Sequence, residues 1–147
     1  MQVKIKRIDS KLPLPMYETD GAVGFDFVAR EEVIIEAKSL GLIPANVVIE
    51  VPEGYMLVVA SRSSAPKKKG LLTPHGIGII DHDYCGPTDE IKVQVYNFCD
   101  QAVTVARSEK IAQGVFVKIE KFQFEEVNEM TKESRGGFGS TGGYTHG

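Results

Sequence analysis

The chain has 147 residues, 42% hydrophobic and 25% charged, with a formal net charge of -3. That length suits one domain burying its own core, and the charge supplies no global basic field, so any polyanion must be gripped locally. No apolar run is long enough to span a bilayer and MQVKIKRID lacks a signal-like apolar stretch. The expected setting is therefore the cytoplasm, with neither membrane nor nucleic acid as a partner.

Short β-like runs follow one another: VKIKRI from Val3, GFDFVA from Gly24, VIIEA from Val33, VVIEV from Val47 and YMLVVA from Tyr55. Ile77, Ile79 and Ile80 then mark a hairpin strand, followed by IKVQVYN from Ile91, VTV from Val103 and GVFVKI from Gly114. Nearly all are bounded by Gly, Pro, Asn or Asp, which predicts an all-β fold, a jelly-roll-like sandwich or barrel of antiparallel strands. One short helix is expected after Arg62, within SSAPKKKG, limited by Pro66 to about one or two turns. Composition shifts near Glu129, where NEMTKESRGGFGSTGGYTHG becomes rich in Gly, Ser and Thr. The reading is a β domain over 1–128 and a flexible Gly-rich tail over 129–147. Cys85 and Cys99 stand in no CxxC arrangement and read as reduced thiols.

Three segments carry candidate chemistry. GIIDHDYCG, from Gly78 to Gly86, puts Asp81, Asp83 and Tyr84 where a strand becomes a turn. SRSS, from Ser61 to Ser64, joins an arginine fork to serine hydroxyls after a strand; it suits phosphate oxygens, and equally a capping turn. The tail offers a cation, an aromatic and backbone N–H groups beside hydroxyls, the parts of a phosphate clamp, and equally a terminus without a role. It is not a Walker A loop, because no lysine stands where that loop needs one.

Metal readings of the hairpin are poor. DHDYCG starts like a calcium loop but places Cys85 at position five and Lys92 at position twelve, where a bidentate Glu is required. His75, His82, Cys85 and Cys99 have no standard zinc spacing. A carboxylate beside a phosphate-binding loop can instead deprotonate water for attack on phosphorus, with Mg²⁺ screening charge.

Taken in order, GFDF around Asp26, SRSS around Ser63, GIGIIDHDYCG around Asp81, EKIAQGVF around Gln113 and RGGFGSTG near the C-terminus resemble the five ordered motifs of trimeric dUTPases. The resemblance implies a jelly-roll-like subunit in a homotrimer with shared active sites, hydrolysing dUTP to dUMP and pyrophosphate by Mg²⁺-assisted attack of water on the α-phosphorus. It implies that Asp81 activates the water and that Tyr84 packs on the deoxyribose. Arg62, Ser63, Ser64 and Gln113 would serve the phosphates, and Asp26 would act on Mg²⁺ through water. The strand from His75 to Ile80, including Gly78, would read uracil with its backbone. In the tail, Phe138 would stack on uracil while Arg135, Gly139, Ser140 and Thr141 would close on the phosphates.

The chain departs from the commonest form of these motifs at several places. Lys110 replaces an Arg, Ser64 stands where Gly is frequent, His75 replaces a small or amide residue, and Pro87, Thr88 and Asp89 lengthen the loop after Gly86. Arg135 precedes Phe138 by a shorter interval than in many members. The related dCTP deaminases, including those that also cleave dUTP, need a catalytic Glu three residues before an Asn; here Gln94 precedes Asn97, and an amide cannot take that proton. A non-catalytic trimeric nucleotide-binding protein is the remaining alternative, and the intact Asp81, Tyr84, Ser63 and Phe138 argue against it.

Overall fold

The computed structural model describes residues 1–137. Its strands are β1 (Ile5–Arg7), β2 (Phe25–Val28), β3 (Val33–Ile35), β4 (Leu40–Pro44), β5 (Val47–Ile49), β6 (Tyr55–Ser61), β7 (Leu71–Leu72), β8 (Gly78–Ile80), β9 (Lys92–Asn97), β10 (Val103–Val105) and β11 (Lys110–Lys118). Among the described residues one helix, α1 (Ala65–Lys69), follows β6. It ends at Gly70, whose φ of 66° is left-handed. A Cβ there would lie 2.0 Å from the Cys99 sulfur, so both backbone and packing demand glycine.

Every pairing is antiparallel. The largest sheet runs β2-β11-β6-β8 and a second runs β4-β9-β7, with two-stranded pairs β1-β5 and β10-β3 beside them. None closes into a barrel. The alternation expected of half-buried strands is visible in β9, where Val93 and Val95 are buried between more exposed Lys92, Gln94 and Tyr96. Phe27, Ile35, Ile43, Leu57 and Ile91 fill the core.

Two strands and part of a third escape the sequence reading. β4 is LGLIP and β7 only two residues; Gly41 and Pro44 punctuate the first, and β9 supplies the pairing that holds both. β11 begins at Lys110, four residues before the expected run, across a register shift between Lys110 and Ala112. Gly114 looks like a strand boundary but serves packing. A Cβ there would lie 2.5 Å from the Phe25 ring, which needs that space to reach Phe27 and Phe116.

Candidate active site

The register of the four-stranded sheet distributes the candidate residues over two places. Along β8, Ile80 pairs with Leu57 and Gly78 with Val59, so Asp81 emerges beside the start of β6, opposite Met56. The chain turns there through a Tyr84 N–H to Asp81 C=O bond of 3.3 Å. This turn and β8 form one wall of a cleft of about 450 Å³, whose other wall is the outer side of the β4-β9 pair. His75, Gly78, Ile80, Asp81 and Tyr84 all line it, joined by Thr73, Leu42, Lys92 and Gln94. Volumes of about 300–1,000 Å³ are usual for small-molecule sites. Asp81 and Tyr84 are exposed to it, and the Tyr84 hydroxyl donates to the Glu90 carbonyl at 3.1 Å.

The second place is the opposite corner of the same sheet. Asp26 on β2 pairs in register with Gln113 on β11, and Gln113 with Ala60 on β6, so these positions share one face. Asp26 is 7% exposed, and both its oxygens face cations: Lys110 Nζ is 2.9 Å from Oδ2 and Arg62 Nε is 3.1 Å from Oδ1. Glu18 also pairs with Lys110, and the bonds that Lys110 donates to Glu18 and Asp26 together raise the lysine's pKa. The contact to Arg62 lacks hydrogen-bond alignment, so Asp26 Oδ1 remains a buried acceptor without a donor. Ser64 stands at the N-cap of α1 but its side chain makes no capping bond, and Ser63 is exposed beside it. A smaller cavity of about 190 Å³ adjoins this corner, lined by Arg62, Ser64, Lys68, Lys69 and Lys110.

Within one chain the two cavities adjoin at Thr73, which lines both, but Asp81 and Arg62 stand toward opposite ends of β6. Arg62, just past the end of β6, lies six residues from Met56, the position opposite Asp81, about 20 Å away at about 3.3 Å per residue, whereas Gly78 at the near end of the cleft pairs with Val59, three residues from Arg62. Of the tail candidates, Arg135 is exposed and lines neither cavity, and Phe138, Gly139, Ser140 and Thr141 lie outside the described residues. Lys92 and Thr73 were not singled out from sequence. The outward place of Lys92 in the alternating β9 was the available signal.

Among the described residues no group of three or more His, Cys, Asp or Glu side chains could cage a metal ion. The donor set suits instead a magnesium ion held mainly by substrate phosphates and its own waters. No helix among the described residues is long and apolar enough to cross a membrane.

An all-β chain places an aspartate and a tyrosine on a hairpin cleft and basic and hydroxyl groups at a far sheet corner, and comparison with known proteins is specific. The family model described as dUTPase matches residues 10–142. The deoxyuridine 5'-triphosphate nucleotidohydrolase of Helicobacter pylori is 39% identical over 144 residues, covering 97% of each chain. That of Fusobacterium nucleatum is 40% identical over 146 residues, again 97% of each. Among solved structures, the dUTPase from Streptococcus mutans aligns with a TM-score of 0.75 at 32% identity, over 82% of this chain and 98% of its own. The Staphylococcus bacteriophage 80alpha dUTPase with dUPNHPP shares the fold, with a TM-score of 0.84 at 23% identity over 96% and 98% of the two chains. The chain belongs to the dUTPase family.

Proposed function

We propose that this protein hydrolyses dUTP to dUMP and pyrophosphate, clearing dUTP and supplying dUMP for thymidylate synthesis. One observation carries the reading: the segment from His75 to Tyr84, in which the dUTPase resemblance assigns His75, Gly78, Ile80, Asp81 and Tyr84 to the site, lines a single cleft. Uracil lies against the backbone of β8 and the segment from His75, where a methyl at C5 meets the strand. Tyr84 packs on the deoxyribose and leaves no room for a 2′-hydroxyl. Asp81 accepts a proton from water as its oxygen attacks the α-phosphorus; the bond from that phosphorus to the bridging oxygen breaks, and pyrophosphate leaves with the electron pair. Arg62, Ser63, Ser64 and Gln113 hold phosphate oxygens and keep the attacked phosphorus in line. When bound with the triphosphate, Mg²⁺ would screen charge on the phosphates, and Asp26 would hold it through its water shell.

The two halves act together only across subunits. The dUTPase resemblance puts Asp81 and Tyr84 of one subunit beside Arg62, Ser63 and Gln113 of a neighbour, and the separation of about 20 Å between Asp81 and Arg62 along one chain's β6 is in keeping with that division. A homotrimer with three shared sites satisfies this. It also covers apolar surface that a monomer leaves in water: Ile79, Leu42, Phe122 and Phe124 are 55%, 55%, 77% and 101% exposed. The β domain of residues 1–128 forms the trimer body, and the tail from residue 129 closes the site, with Phe138 over uracil and Arg135, Gly139, Ser140 and Thr141 on the phosphates.

The test is pyrophosphate release with Mg²⁺ from dUTP, dTTP, dCTP and UTP. The expected result is turnover of dUTP alone. Equal turnover of all four overturns the reading, ammonia from dCTP establishes a deaminase, and binding without release establishes a non-catalytic protein.

A further inference from the structure

We propose that Glu90 is a positioning residue for sugar selectivity, holding the Tyr84 ring in place through the loop between them. The proposal rests on Tyr84 being the residue that refuses a 2′-hydroxyl. A ring excludes a hydroxyl only if it cannot yield, because a small displacement admits the extra atom. Tyr84 is 40% exposed, and its hydroxyl is tied to the backbone carbonyl of Glu90. The rigidity of the gate is therefore the rigidity of that carbonyl.

Glu90 has the anchorage this requires. It is 8% exposed, and its Oε1 accepts from Arg30 Nε at 2.8 Å and from the Asn46 N–H at 2.9 Å. The pair raises the Arg30 pKa, the Glu90 bond being the largest cause. Both donors belong to the core frame: the Arg30 N–H bonds to the Pro44 carbonyl, and Asn46 is 1% exposed with a left-handed φ of 68° and side-chain bonds to the Asp9 backbone. The residues that lengthen the loop are tied down as well. The Gly86 N–H donates to Asp89 Oδ2 at 2.7 Å, the Glu90 N–H to the Thr88 carbonyl at 2.8 Å, and Lys6 Nζ to the Pro87 carbonyl at 2.9 Å. A longer loop alone would loosen the carbonyl that holds Tyr84. Here its own bonds and the buried carboxylate stiffen it.

The experiment compares kcat/KM for dUTP and for UTP in the full-length protein and in Tyr84→Phe, Glu90→Ala, Glu90→Gln, Asp89→Ala and the Tyr84→Phe/Glu90→Ala double variant, with melting temperatures alongside. Losing one hydrogen-bonded restraint should lower the dUTP preference about three- to tenfold in Tyr84→Phe, Glu90→Ala and Asp89→Ala, chiefly through a lower KM for UTP. Glu90→Gln keeps an acceptor of the same shape and should restore most of the preference. The double variant should lose no more than Tyr84→Phe alone. An unchanged preference in Glu90→Ala despite a lower melting temperature overturns the proposal, as do additive effects in the double variant. If Glu90→Ala does not fold, Asp89→Ala decides, and an unchanged preference there overturns it equally. A starting protein that turns over dUTP and UTP alike instead overturns the sugar-gate reading of Tyr84, and this inference falls with it.

Discussion

Asp81→Asn is expected to lower kcat for dUTP by about 10²–10⁴-fold, the usual contribution of a positioned general base. The substitution keeps shape and hydrogen-bonding reach but removes the group that takes the proton from water. Asp81 is exposed at the rim of the cleft, packed into no core, so melting temperature should stay close to that of the parent protein. Uracil and sugar contacts come from β8, His75 and Tyr84, so dUTP should still bind with similar affinity by calorimetry. Retained turnover would remove Asp81 from the role of base. Lost binding together with lost turnover would make it a binding residue.

A chain ending at Glu133 is expected to keep its fold and lose at least about 10²-fold in kcat, the scale set by removing positioned donors from a transition state. Residues 121–137 are exposed throughout and belong to no strand, so the core of the β domain does not depend on them. The deletion removes Arg135, Phe138, Gly139, Ser140 and Thr141 at once, and with them the proposed closure that excludes water other than the nucleophile. The checks are kcat by pyrophosphate release, the melting curve and the sedimentation of the shortened protein. Full activity would make the tail dispensable. Loss of the fold or of the proposed trimer would make it structural instead.

Strands were legible where side chains carried the alternation. YMLVVA makes up β6 except for its last residue, Ser61, because Leu57 and Val59 turn inward between less buried neighbours, and the hairpin turn at Asp81 followed from apolar residues giving way to acids and Gly86. β4 and the start of β11 were not legible, because Gly41, Pro44 and Gly114 read as breaks until their partner strands are known. The motif order named the candidate site residues, but their separation is a property of register: only the pairing of Ile80 with Leu57 shows which end of β6 Asp81 occupies. Glu90 was the least legible residue. In GPTDEIK it looks like one more acid on a polar loop, and its burial depends on Arg30, sixty residues away in the chain, and on the backbone of Asn46.

Each site is proposed to take its base from one subunit and its phosphate grip from another. Asp81→Asn and Arg62→Ala homotrimers should each be nearly inactive. Unfolded together in equal amounts and refolded, they should form mixed trimers in which about a quarter of the sites combine an intact Asp81 from one chain with an intact Arg62 from its neighbour, as random assembly in a closed ring requires. Recovery of about a quarter of parental activity, absent when the separately refolded proteins are simply mixed and assayed at once, is the predicted result. No recovery, with mixed trimers demonstrated by mass, would place base and phosphate grip in the same chain and contradict the account.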